Sequence, residues 1–339
     1  MNPAYSCRLC NKLNGEIVML VLGIMGSPRK KGNTDYLLSL FMKEIEEAGV
    51  RTHIVEVGKK NIKPCLEYSV CEKKGICPID DDMDEIYSLL READVIVIAT
   101  PMFFYNAPAQ TKALIDRSQT LWARRYRLNL MDPGHKIKKG FLLALGATKG
   151  KNLFEGINLT AKYFFDAVSA SFEGSLTYRN IESRGDMEKH PTVLQDVKDA
   201  AENILRSYLT RKKILFACRE NACRSQMASA FARYFAGDKI DALSGGSAPA
   251  DTINPIMIEA MHEKGIDMAF RKPKSIDEVV SKEKPDIIIT MGCKEECPFV
   301  PGAKMENWEL PDPSGKPIEF MRDVRDEIEK RIMKLSNSL

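Results

Sequence analysis

Between residues 17 and 208, short apolar runs alternate with stretches whose apolar positions recur every three or four residues. The runs at 17–25, 51–57, 95–99, 140–146 and 171–178 read as strands, and Leu37, Leu38, Phe41, Met42 and Ile45 recur at helical spacing. Strands apolar on both faces and joined by helices imply a parallel sheet covered on both sides. A helical stretch at 192–208 is followed by Arg211-Lys212-Lys213, and the cycle then restarts. Strands are expected at 214–217, 240–243 and 287–291, with helices at 226–235, 255–264 and 318–334. The pattern predicts two α/β domains, 17–210 and 211–339, each a doubly wound parallel sheet.

Composition narrows this picture rather than changing it. A chain of 339 residues suits two domains, and 44% hydrophobic with 29% charged residues is ordinary for a soluble globular protein. A net charge of +3 offers no argument for a nucleic-acid or membrane partner. The run 17–25 is about half of a membrane span and lacks the basic flank and cleavage site of a signal peptide. Residues 1–16 read as a polar leader, and a cytoplasmic protein is expected.

The nine cysteines fall in clusters: Cys7/Cys10, Cys65/Cys71/Cys77, Cys218/Cys223 and Cys293/Cys297. An odd number of thiols in a long chain points to reduced cysteines engaged in chemistry, not to a disulfide scaffold. Cys7 and Cys10 form one C-x-x-C without a second pair, weak grounds for zinc.

The sharpest motif is Cys218-Arg219-Glu220-Asn221-Ala222-Cys223-Arg224-Ser225, set between a predicted strand and a predicted helix. A loop wrapped onto a helix N-terminus turns successive N–H groups inward as a nest for a tetrahedral oxyanion. Arg224 grips two of its oxygens through a planar fork, and donors of this kind favour a thiolate at Cys218. Asn221, Cys223 and Ser225 are the other loop positions expected around the anion. Ser225 is placed to donate to the sulfur, and the Cys223 thiol is passive. Two further segments bear on the chemistry. Cys293-Lys294-Glu295-Glu296-Cys297 follows a buried strand and supplies two thiols for exchange. Pro311-Asp312-Pro313 holds a carboxylic acid on a rigid loop, suited to protonating a leaving oxygen.

The stretches CRENACRSQMA, LSGGSAPA, MGCKEECP and WELPDPSG, within 212–335, resemble thioredoxin-coupled arsenate reductases, relatives of the low-molecular-weight tyrosine phosphatases. Those phosphatases carry tyrosines after the Asp-Pro, where Ser314-Gly315 stand here. The resemblance implies that Cys218 attacks arsenate, Asp312 protonates the departing hydroxide, Cys293 attacks Cys218, and Cys297 takes over the disulfide. Better-known members separate the last pair by six residues, and here three intervene. Helical i,i+4 Cβ atoms lie about 5–6 Å apart, and a disulfide needs roughly 3.5–4.5 Å. An irregular loop or another final partner is required.

In the first domain, Gly26-Ser27-Pro28-Arg29-Lys30-Lys31-Gly32-Asn33-Thr34 places small, hydroxyl and basic residues at a helix N-terminus, a phosphate site. Thr100-Pro101-Met102-Phe103-Phe104-Tyr105-Asn106 puts aromatics at the end of the third strand, where a planar ring stacks or the rings enter the core. GSPRKKGNTD, ICPIDDDM, TPMFFYNAPAQTKALIDR and ATKGKNLFEGI resemble the NADPH-dependent FMN reductase family and its iron–sulfur flavoprotein branch, over about 17–209. This resemblance implies a flavodoxin-like fold and FMN reduced by NAD(P)H. The phosphate is then held at Ser27, Arg29, Asn33 and Thr34, and the ring lies against Pro101, Met102, Phe103, Phe104 and Asn106, with Thr148 on a third side. Relatives of this fold often pair, so a homodimer through this domain is expected. The iron–sulfur branch carries C-x2-C-x2-C-x5-C. Here the positions are Cys65, Tyr68, Cys71 and Cys77, one thiolate short of the four a cluster wants. A cluster with an outside ligand, a metal ion, trivalent arsenic or no ligand at all remain the alternatives.

Together these readings describe arsenate reduction fused to flavin reduction, with thioredoxin, another thiol reductant or the flavin itself resetting the disulfide. The rivals are a phosphatase joined to an independent flavin enzyme acting on quinones or organoarsenicals, and an arsenic-binding or electron-transfer module.

Overall fold

The computed structural model describes residues 17–292 and 300–339. Expectations for the leader 1–16, for Cys7 and Cys10, and for Cys293 and Cys297 lie outside the described residues.

Two compact units emerge. One runs up to Leu128 and resumes over Ile137–Leu209; the other joins Asn129–Lys136 to Thr210–Leu339. The excursion at 129–136 is not visible in the apolar pattern because it is held by backbone bonds. The Met131 N–H donates to Gly265 O at 2.7 Å, and the Asp267 N–H donates to Met131 O at 2.9 Å.

In the first unit the chain runs β1 (Ile17–Met25), α1 (Asn33–Glu47), β2 (Val50–Glu56), α2 (Val70–Lys74), α3 (Met83–Glu92) and β3 (Val95–Pro101). It continues through α4 (Ala109–Arg117), α5 (Gln119–Tyr126), β4 (Lys139–Leu145), α6 (Glu155–Ala167), β5 (Ser171–Tyr178) and α7 (Val193–Leu205). The sheet is parallel throughout, ordered β2-β1-β3-β4-β5. Order reverses between β1 and β3, and in such sheets ligands bind in the crevice outside the carboxyl ends at that point. Leu37, Leu38, Phe41, Met42 and Ile45 of α1 form the predicted stripe and pack with Val21, Val97 and Leu143 in one core. Each such side chain contributes about 1.5–3 kcal/mol relative to exposure.

The second unit runs β6 (Lys212–Cys218), α8 (Arg224–Ala236), β7 (Ile240–Gly246), α9 (Pro255–His262), α10 (Ile276–Lys282), β8 (Ile287–Thr290), β9 (Lys304–Asn307) and α11 (Ile318–Ser338). Its parallel sheet is ordered β7-β6-β8-β9. Along β6, Ile214 and Phe216 enter one core and Leu215 and Ala217 the other, which pins the strand in the middle of the sheet. Among the described residues, no helix is long and apolar enough to cross a membrane.

Candidate active site and flavin crevice

The loop between Cys218, the last residue of β6, and Arg224, the first of α8, is shaped from outside. Its carbonyls are taken by the following segment. Ser247 N donates to Cys218 O, Ala248 N to Arg219 O, Ala250 N to Glu220 O and Asn254 N to Ala222 O, at 2.8–3.2 Å. With the carbonyls so engaged, the N–H groups of 219–224 meet no protein acceptor among the described residues. Unmet donors at the start of a helix form an anion nest. Gly246, the register partner of Cys218 on β7, permits the close approach. A Cβ there would sit 2.6 Å from Arg219 O and 2.8 Å from Asn221 N.

Below the loop a chain of bonds fixes one proton. The Lys274 N–H donates to Asn221 Oδ1 at 2.9 Å, and Gln226 Nε2 donates to the same oxygen at 3.0 Å. That orientation turns Asn221 Nδ2 to donate to Ser225 Oγ at 2.8 Å. Ser225 then spends its own proton on Cys218 Sγ, 3.0 Å away. Asn221, at φ +50° and fully buried, is therefore a scaffold residue. Its side chain is spent on the loop, and its backbone N–H is what it offers the nest. Gln226 and Lys274 were missed because nothing in their spacing marks them.

Arg224 is almost wholly buried and donates to Leu310 O at 3.3 Å, with Asp312 Oδ1 3.3 Å from its other terminal nitrogen. Gly292, at φ +84°, makes room for it: a Cβ would lie 2.7 Å from Arg224 Nη1. Burial works to raise the Asp312 carboxyl, but the Ser314 N–H and the Arg224 guanidinium outweigh it and hold it below the usual carboxylate range. Cys223 is buried at the cap of α8, and burial, reinforced by Cys218, pushes its thiol up to about 12. It stays neutral beside the nest.

In the first unit, the loops after β1, β3 and β4 lie side by side at the carboxyl edge. Ser27 Oγ accepts from the Arg29 N–H at 3.2 Å, Arg29 is exposed, and Thr34 is buried in the first turn of α1. Asn33 is an anchor. Its Nδ2 donates to Ser183 O at 2.8 Å and its Oδ1 accepts from the N–H groups of Gly185 and Met187. Both ends of its side-chain amide are engaged there. Past Pro101 and Met102, Phe103 and Asn106 exchange backbone bonds of 2.8 and 3.0 Å across a tight turn. Phe104 and Tyr105 sit at its tip with φ +48° and +63°. Such angles are costly for bulky residues and are a mark of functional turns. Phe104 is fully exposed and Phe103 and Tyr105 half-exposed, so these rings do not enter the core. Asn106 is also tied inward, donating to Thr160 Oγ1 at 3.0 Å while its Oδ1 accepts from the Ala107 N–H. Thr148 is exposed on the loop after β4.

Cys65, Cys71 and Cys77 line a third feature, a cavity of about 780 Å³ within the first unit. They do not close round a point: among the described residues, no group of three or more His, Cys, Asp or Glu is gathered tightly enough to hold a metal ion. The loop carrying them is fastened by Arg117, which is bidentate to Asp81 at 2.6 and 3.1 Å and also donates to Lys63 O and Ile79 O. Both side chains are fully buried. No spacing rule pairs residues 36 apart, so this anchor was not legible in advance.

Comparison with known proteins finds two families, one in each part of the chain. The family described as NADPH-dependent FMN reductase matches residues 19–139, and that described as low molecular weight phosphotyrosine protein phosphatase matches residues 213–339. The chain is 42% identical to an iron-sulfur flavoprotein of Methanocaldococcus jannaschii over 103 residues, 30% of this chain and 53% of that one. It is 38% identical to arsenate reductase 2 of Staphylococcus epidermidis over 127 residues, covering 37% of this chain and 95% of that one. Arsenate reductase 2 of Staphylococcus haemolyticus gives 38% over 128 residues, with the same shares. The chain spans only 45–65% of the iron-sulfur flavoproteins it matches. It belongs, through residues 213–339, to the arsenate reductases of the low molecular weight phosphatase family, and it carries ahead of them a domain of the NADPH-dependent FMN reductase family.

Proposed function

We propose that the chain reduces arsenate to arsenite at Cys218 and that its first domain supplies the electrons from NAD(P)H through FMN. The observation that carries the first half is the run of N–H groups at 219–224 with no protein acceptor among the described residues, flanked by the Cys218 sulfur and by Arg224 with Asp312 against it. A tetrahedral oxyanion fits that donor set.

Arsenate entering the nest competes with Asp312 for Arg224. The carboxyl then loses its cation and gains an anionic neighbour, so its proton affinity rises at the moment an acid is needed. Cys218 attacks arsenic, one As–O bond breaks, and Asp312 protonates the departing oxygen. Ser225 holds its proton on the sulfur until the As–S bond forms. Cys293 next attacks the Cys218 sulfur. The As–S bonding pair leaves with arsenic, which falls from the pentavalent to the trivalent state as a Cys218–Cys293 disulfide forms. Exchange with Cys297 moves the disulfide to Cys293–Cys297 and frees Cys218. A two-electron donor must then open it.

The first domain fits FMN. Arg29, Lys30 and Lys31 stand exposed beside the N-terminus of α1, which no side chain caps, and suit a phosphate; the exposed turn at Phe103–Tyr105 suits a planar ring. Bound there, FMN supplies hydride acceptance from NAD(P)H. Covalent linkage raises the effective concentration of one domain for the other.

The first half is tested by single turnover. Fully reduced chain mixed with arsenate and no reductant yields one arsenite and one disulfide per chain, and Cys218→Ser yields neither. Hydrolysis of an aryl phosphate that survives Cys293→Ala, without arsenite formation, would make the second domain a phosphatase.

A further inference from the structure

The three thiols on the first unit's cavity take no part in the chemistry above. Two of them stand on fastened backbone. Cys77 lies beside the stretch that Arg117 and Asp81 pin, and Cys71 lies on α2, whose C-terminal Gly75 carbonyl accepts from Arg124 Nη1 at 2.9 Å. Cys65 is exposed on an outer stretch that belongs to no helix or strand. Leu66, Trp122, Leu159 and Phe164 give the same cavity an apolar side, and Glu67, Glu72, Asp116 and Asp166 a polar one.

An iron–sulfur cube wants four thiolates. The remaining place in the spacing belongs to Tyr68, 59% exposed, and no carboxylate or imidazole among the described residues completes the set. Three sulfurs suit an element that makes three bonds and keeps a lone pair in the fourth direction. Soft thiolates select such thiophilic centres over hard ones.

We propose that Cys65, Cys71 and Cys77 bind trivalent arsenic as a tris-thiolate, which gives the flavin domain a site for the product of the cysteine domain. Arsenous acid condenses with three thiols: three As–O bonds break, three As–S bonds form, and each thiol proton leaves with a hydroxyl as water. Arsenic stays trivalent and no electrons move. Burial, with Cys65 and Cys77 nearby, pushes the Cys71 thiol up. Closure requires the Cys65 stretch to fold inward. The cavity leaves room for that, and Glu67 and Ser69, at φ +54° and +55°, mark where the backbone already turns. The proposal rests on the arsenate reading only for the source of the arsenic.

The test uses the reduced full chain and sodium arsenite, with native mass spectrometry for stoichiometry and arsenic X-ray absorption for the ligands. One tightly held arsenic with three sulfur neighbours is expected, in Cys218→Ser as in the unaltered chain, so this outcome is separate from arsenate turnover. Cys65→Ser, at an exposed position that does not threaten folding, weakens retention at least about tenfold through loss of one arm of the chelate. Cys71→Ser and Cys77→Ser do the same, and Cys7→Ser/Cys10→Ser does not. Retention unchanged in Cys65→Ser/Cys71→Ser/Cys77→Ser overturns the proposal. So does stoichiometric iron and sulfide, lost with those three cysteines, in chain purified without oxygen.

Discussion

Around Cys218, four backbone carbonyls, one asparagine amide and two glycines leave the loop a single shape, and the anion's donors sit in place before any anion arrives. Around Phe104, two bulky residues are held at positive φ with their rings exposed, while Asn33, Asn106, Thr111 and Arg179 tie down the loops on either side. The first arrangement suits chemistry in which charge develops on a small tetrahedral group, because preorganised dipoles need no rearrangement during reaction. The second suits a large planar partner that itself covers the exposed rings. One site is finished by the fold, the other by its ligand.

If that contrast is right, damage to the rigid site costs far more than damage to the open one. Asp312→Asn removes the acid and should lower the rate of arsenite formation about 10²–10⁴-fold. Because Arg224 and Ser314 hold Asp312 low, the carboxyl is ionised in the free chain and more of it is lost to reaction as pH rises. The activity of the unaltered chain relative to the Asp312→Asn variant should therefore fall toward alkaline pH; a ratio independent of pH would remove Asp312 from the proton path. Gly246→Ala intrudes on Arg219 O and Asn221 N, and a loop displaced by about 1 Å should cost on the order of a hundredfold in turnover. Stopped-flow arsenite formation measures it, and near-normal rates would show the nest to be more compliant than its bonds suggest. The smallest effect belongs to the open site. Phe104→Ala should leave the melting temperature unchanged, since the ring is fully exposed, yet weaken FMN about tenfold, the size of one aromatic stacking contact with its buried area. Fluorescence titration of FMN decides it, and a lower melting temperature with unaltered affinity would return Phe104 to a structural role.

The central strands were legible because they are parallel and buried, so their runs are nearly continuous, as at 95–99 and 140–145. β9, Lys-Met-Glu-Asn, was not, because an exposed edge strand of four residues carries no apolar signal. At the sites, residues whose chemistry is peculiar to their type stood out. Cys218, Arg224 and Asp312 occupy one site as the motif implies. Asparagines are harder to read. Asn33, Asn106 and Asn221 each sit within a functional motif, yet each spends its amide on neighbouring backbone or hydroxyl groups. An amide both donates and accepts, which makes it a good ligand group and an equally good loop anchor, and sequence alone does not separate the two uses. Glycine carried the opposite lesson: Gly246 and Gly292 matter for the space they leave, and that is visible only once Arg219, Asn221 and Arg224 are in place.

The most direct test of a self-contained reductase is arsenite formation by the purified full chain supplied with NADPH, FMN and arsenate, with no thioredoxin or other thiol present. The account predicts many arsenite molecules per chain, NADPH consumed in step, and both abolished by Cys218→Ser. One arsenite or fewer per chain, with NADPH left intact, would contradict it and assign the disulfide to an outside thiol reductant.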